Sequence, residues 1–132
     1  MEEPLVKIHY WLYPVSWIYG TGVYLRNKLF DWGYYQSKSF DVPVVCVGNL
    51  AVGGTGKTPH TEYLIKLLQQ TGANVAMLSR GYKRKSKGYV LATEETDVKR
   101  IGDEPYQIKT KFPDIRVAVD ENRCHGIEQL MK

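Results

Sequence analysis

Residues 48–59 read GNLAVGGTGKTP, and no other string limits so tightly what this chain can fold into. It follows an apolar run, Val42 to Val47, and precedes a helical pattern. A phosphate-binding loop of the form G-x-x-x-x-G-K-[S/T] needs that strand-before, helix-after setting. Gly56, Lys57 and Thr58 fit the motif, but Ala51 stands at its leading position and the glycines come instead at Gly53 and Gly54. The physics survives the change. Residues without a side chain let successive backbone N–H groups point inward as a nest for anionic oxygens, and the helix start adds its positive end. The nucleotide-binding candidates are therefore Gly53, Gly54, Thr55, Gly56, Lys57 and Thr58. Lys57 would reach the β- and γ-phosphates of ATP, and the Thr58 hydroxyl would bind Mg²⁺. The competing reading is a glycine-rich turn that binds nothing. A dinucleotide-type G-x-G-x-x-G fails because Pro59 occupies the last position, and a partition-type ATPase would carry a lysine where Val52 stands.

The pattern downstream is that of an α/β protein. Lys57 to Gln70 reads as a helix, with Tyr63, Leu64, Leu67 and Leu68 on one face and Thr71-Gly72 as its stop. Asn74 to Ser79 is a second strand, so strand, loop, helix, strand make one βαβ unit and predict a parallel sheet. Tyr89 to Ala92 is a short strand candidate, TEETDVKR a surface turn, Glu104 to Lys111 a helix, Ile115 to Val119 a third strand and Asn122 to Met131 a last helix. The expected fold is a P-loop NTPase-like parallel sheet flanked by helices over residues 41–132. It is an incomplete domain, because the pattern stops where a doubly wound fold would continue with another strand.

Residues 1–40 form a separate, amphipathic helical segment in this reading. Pro14 is placed to open a helix, and Val15, Ile18, Tyr19, Gly22, Leu25, Leu29 and Trp32 recur at helical spacing. Polar and helix-breaking residues interrupt the uncharged run from Ile8 to Leu25, which argues against a spanning helix. Met1 to Pro4 carries two glutamates and no basic region, so no cleavable leader is expected. The aromatics, with Lys7, Arg26 and Lys28 nearby, suit either a helix packed on the protein's own core or one lying in the plane of an anionic membrane surface.

Lys and Arg number 18 against 14 acids. The excess is mild, but five cations fall between Arg80 and Lys87. That cluster suits an anionic partner such as a glycolipid phosphate, with nucleic acid not expected, or it is a solvated hairpin. Arg80, directly after a strand, is the best single candidate for a substrate contact, with Lys83 and Arg84 beside it and Arg123 after the third strand. Asp103 reads as a helix N-cap. Cys46 reads as a buried thiol and Cys124 as a free one. His9, His60 and His125 have no metal-ligand spacing and read as structural or surface residues.

VGNLAVGGTGKTP, LSRGYKRKSKG and GDEP occur in that order. Together they resemble the tetraacyldisaccharide 4′-kinase family, the lipid A 4′-kinases of Gram-negative bacteria. The resemblance covers nearly the whole chain but only the N-terminal part of the family. A later acidic motif of the D-D-G-F-Q-H type, a downstream histidine and a second, smaller domain are not in this sequence, so the 132 residues alone are expected to be inactive. The resemblance implies an ATP- and Mg²⁺-dependent kinase that phosphorylates the 4′-hydroxyl of a tetraacyldisaccharide 1-phosphate, acting peripherally at the cytoplasmic face of the inner membrane. It also implies that Asp103 is the base for the attacking hydroxyl and that Glu104 helps Thr58 hold Mg²⁺. The rivals are another membrane-associated P-loop ATPase and a truncated nucleotide- or lipid-binding module without turnover.

Overall fold

The computed structural model describes residues 9–48 and 56–132. Gly53, Gly54 and Thr55 of the predicted phosphate loop lie outside the described residues. The chain divides into two units, Met1–Val42 and Pro43–Lys132.

In the first unit a 3-10 turn, Tyr10–Leu12, leads into helix α1, Tyr13–Asp31, with Pro14 in its first turn. Its 19 residues make a rod about 28 Å long. The helix ends where Gly33 turns left-handed at φ 74°. There the Gly33 N–H donates to Phe30 O and the Tyr34 N–H to Leu29 O, a paired closure that satisfies carbonyls the helix leaves open. None of its residues is buried; Trp17, Ile18 and Tyr19 are all more than 70% exposed. Among the described residues no helix is long and apolar enough to cross a membrane.

The second unit is α/β. Helix α2 (Lys57–Gln70) is followed by β1 (Ala76–Ser79), β2 (Val90–Leu91), α3 (Val98–Ile101), α4 (Asp103–Lys111), β3 (Arg116–Val119) and α5 (Arg123–Met131). The three-stranded sheet has the order β1-β3-β2. β1 and β3 are parallel, with Met77 opposite Val117 and Ser79 opposite Val119. β2 is antiparallel to β3, so the sheet is mixed where an all-parallel one was expected. The reason is connectivity. The short link after β1 carries no crossover helix, so the chain returns along β3 in the opposite sense.

Side chains alternate across a strand. Val117, Val119 and Met77 pack with Ile65 of α2 and Ile101, Ile108, Phe112 and Ile115 around α4. Leu78, on the alternate set, meets α5. The sheet thus carries α2 and α4 on one face and α5 on the other.

Four further expectations change. Val42 to Val47, expected as a strand, forms none and is exposed, because no described strand offers it a ladder. Cys46 is accordingly exposed, not buried. The buried residue of α2 is Ile65, flanked by partly buried Thr61 and Leu64, while Tyr63 is 65% exposed, so the packed face is rotated from the one periodicity suggested. The predicted surface turn at 93–100 runs into the short helix α3.

Candidate functional site

Parallel strands end on the same side of their sheet, and the helices that follow begin there. Ser79 closes β1 and Arg80 follows it, Asp120 follows β3, and α5 opens at Arg123. α2 opens at Lys57 behind Gly56, whose left-handed φ of 73° turns the chain into the helix. Lys57, Ser79, Arg80, Tyr82, Glu104 and Arg123 line one cavity of about 670 Å³, whose remaining wall is largely apolar and includes Val45, Val47, Leu64, Leu68 and Met77. Three cations and one carboxylate therefore converge on an otherwise greasy cleft.

The Thr58 hydroxyl donates to Glu104 Oε1 across 3.3 Å. This joins the first turns of α2 and α4, residues 46 apart in the chain. One turn further on, Glu62 accepts from Gln107 Nε2 at 3.1 Å and pairs with Lys111 at 2.6 Å. The two helices run side by side in the same sense, with their N-termini together. The hydrogen bond from Lys111 is the main cause that holds the Glu62 carboxyl below its usual range. The Thr58–Glu104 contact is longer than an ordinary O–H···O bond. A hydroxyl and a carboxylate are the hard oxygen donors that Mg²⁺ takes, one or two from the protein and the rest from phosphates and water. Among the described residues there is no group of three or more His, Cys, Asp or Glu that could hold a metal.

Asp103 is the first residue of α4, and Gly102 takes the cap position with no side-chain cap bond. The expected capping role is thus not realised. Gly102 stands at φ 92°, outside the extended region a capping aspartate favours, and a Cβ there would lie 2.9 Å from Tyr82 O. The Asp103 carboxylate is exposed and makes no hydrogen bond or ion pair among the described residues. It sits beside Glu104 but does not line the cavity.

The basic loop divides. Arg80 lines the cavity. Lys83 is exposed at φ 61°, its ammonium 5.4 Å from the Tyr82 ring centre. The Arg84 side chain is only 3% exposed. It pairs with Glu121 at 2.8 Å and donates to Gly88 O at 2.9 Å and to Ser86 Oγ at 3.2 Å. Ser86 in turn donates to Arg100 O, and the Lys85 N–H donates to Lys99 O at 2.8 Å. Arg84 folds the loop; Lys83 and Arg84 do not line the cavity with Arg80 and Arg123.

Sequence reasoning missed Asp120. This carboxylate is buried at the tip of the central strand. Its Oδ1 accepts the Asn122 N–H at 2.9 Å, and its Oδ2 accepts His125 Nδ1–H at 2.6 Å. Burial pushes its pKa up. The bonds from His125 and Asn122, with the charges of His125 and Arg84, outweigh that and leave it below the ordinary value. Burial is also the main cause that raises Tyr89, whose ring meets His125 edge-on. The only sequence signal was an aspartate placed just after an apolar strand and five residues before a histidine.

A sequence model of the family described as Tetraacyldisaccharide-1-P 4'-kinase matches residues 8–132. The chain is 72% identical over 99% of its length to a protein of Bacteroides fragilis named Tetraacyldisaccharide 4'-kinase. It is 56% identical over 98% of its length to one of Porphyromonas gingivalis with the same name. The chain spans 35% and 36% of those two relatives, about a third of each. Among solved structures it is similar to the "apo" form of LpxK from Aquifex aeolicus in complex with ATP. The TM-score is 0.75 at 41% identity, over 92% of this chain and 39% of that one.

Proposed function

Because the chain belongs to the tetraacyldisaccharide-1-P 4'-kinase family, we propose that its second unit is the nucleotide-binding part of a P-loop kinase acting in lipid A biosynthesis. The enzyme transfers the γ-phosphate of ATP to the 4′-hydroxyl of a tetraacyldisaccharide 1-phosphate. The observation that carries this reading within the molecule is the Thr58–Glu104 oxygen pair, whose Glu104 lines one cavity together with Lys57, Arg80 and Arg123. The ATP bound in the similar Aquifex aeolicus structure supports the choice of nucleotide.

Each residue then has a task. Lys57, with the backbone of the preceding loop, holds the β- and γ-phosphates. Thr58 and Glu104 hold Mg²⁺, which when bound neutralises charge on the transferring phosphates. Asp103, exposed and unpartnered among the described residues, takes the proton of the 4′-hydroxyl as the new O–P bond forms and the bond to ADP breaks. Arg80 and Arg123 supply cations for the anionic groups of nucleotide or glycolipid. The apolar wall of the cleft suits an acylated acceptor. The exposed aromatics of α1 serve as a peripheral anchor in the plane of the inner membrane, on its cytoplasmic face, where the lipid acceptor resides.

The test uses the full-length protein with ATP, Mg²⁺ and the disaccharide lipid in detergent, with labelled lipid separated by thin-layer chromatography. Wild type forms the 4′-phosphorylated lipid, and Lys57→Ala loses transfer by about 100-fold or more, as expected when a fixed charge on the phosphates is removed. ATP hydrolysis without lipid product would favour a membrane-associated ATPase. ATP binding without any turnover would favour a non-catalytic module.

A further inference from the structure

We propose that Asp120 and His125 form a positioning pair that fixes the first turn of α5 and so presents Arg123 to a phosphate group in the cleft. The inference rests on the kinase reading above. A buried carboxylate is costly unless its lone pairs are taken. Asp120 is 2% exposed, and both its oxygens are used locally, one by the Asn122 N–H and the other by His125 Nδ1–H. Its own N–H donates to Ser79 O at 3.0 Å, which extends the β1–β3 ladder to the carboxylate. The group is thus fixed to the sheet by its backbone and to α5 by its side chain.

The helix is held from two other directions. Asn122 Oδ1 accepts the His125 N–H at 3.2 Å and caps α5. Gly126 lies so close to the sheet that a Cβ there would stand 2.8 Å from a Leu78 methyl and 3.0 Å from Asp120 Cβ. With Nδ1 protonated toward the carboxylate, His125 Nε2 accepts from Gln129 Nε2 at 3.1 Å, which carries the tie into the second turn. Arg123 opens this clamped turn and lines the cavity with Lys57, Arg80 and Glu104, while His125 does not. Arg123 makes no ion pair among the described residues. A long, flexible cation gains most from having its backbone fixed in advance, because less freedom is then lost on binding an anion.

A role exercised through Arg123 predicts non-additivity. In the full-length kinase, His125→Ala is expected to raise KM about tenfold for whichever substrate phosphate Arg123 contacts. KM for ATP and KM for the glycolipid are measured separately, so the rise identifies the source. His125→Asn, whose amide places a donor near the Nδ1 position, is expected to recover most of the loss. In an Arg123→Ala background, His125→Ala is expected to change the same KM by less than twofold. Thermal unfolding of each variant, run beside the kinetics, shows whether it is folded. Should His125→Ala prove too unstable, Asp120→Asn replaces it in the same cycle. Equal effects of His125→Ala in both backgrounds, or unchanged KM values in a folded variant, overturn the inference while wild-type transfer and the Lys57→Ala loss leave the kinase reading standing. Absence of lipid phosphorylation by the wild type overturns both.

Discussion

The Thr58 hydroxyl and the Glu104 carboxylate meet at 3.3 Å, joining two helix starts that lie 46 residues apart. If this oxygen pair holds the metal, Glu104→Ala in the full-length enzyme raises the Mg²⁺ concentration for half-maximal activity by about tenfold, in the range seen when a metal site loses a supporting group. The measurement is a Mg²⁺ titration at saturating ATP. An unchanged midpoint rejects the assignment.

Asp103 makes no cap bond, so its replacement carries little structural cost. Asp103→Asn is expected to lower kcat by about 100-fold, the scale of a lost general base, with ATP affinity and melting temperature nearly unchanged. Retained kcat would leave Asp103 without the catalytic role.

Gly126 tests the close approach of α5 to the sheet. Gly126→Ala places a methyl against Leu78 and Asp120, and overpacking of this kind costs about 1–3 kcal/mol. Leu78→Ala opens room on that side, so the double variant is expected to lose less stability than the two single changes combined. Strict additivity in denaturant unfolding counts against the geometry.

The depressed carboxyl of Asp120 ties stability to pH. Its folded pKa lies below the unfolded value of about 3.8. The contribution is therefore complete above that value and is lost as pH falls through the folded one. The melting-temperature gap between wild type and Asp120→Asn is expected to be widest near neutrality and to shrink below about pH 4. A gap that stays constant over pH 3–7 shows that the carboxylate charge is not what stabilises the fold.

For α1, replacing Trp17 and Trp32 by Glu puts two charges on its exposed aromatic surface. The full-length variant is expected to leave anionic vesicles for the soluble fraction in a flotation assay, because Trp burial at the interface is replaced by a charge the lipid repels. Flotation equal to wild type removes the anchoring role.

What the chain wrote locally could be read without a structure. α2 occupies Lys57–Gln70, the span its pattern predicted, because a glycine start, a proline confined to the first turn, a stretch rich in helix formers from Glu62 onward and a Thr-Gly stop are all near neighbours. α4, β3 and α5 match their predicted spans to within one residue, because their apolar periods and flanking turns lie close together in the chain. The three motif strings carried the family, because each is a run of near neighbours that can be read without a fold.

The tertiary structure decided what depends on distant partners. Val42 to Val47 is apolar enough for a strand, yet a strand exists only beside another one, and none among the described residues is paired with it. Charge counting grouped Arg84 with Arg80, but only the fold brings Glu121 to Arg84 and removes that cation from the cleft. Thr58 finds Glu104 because α2 and α4 share a face of the sheet, a fact no spacing of 46 residues can express. Asp120 and His125 are only five residues apart, but their meaning depends on burial. A loop aspartate in water needs no partner, whereas one buried at the tip of β3 must have one, and the sheet that buries it is assembled from segments on either side of the chain's basic loop.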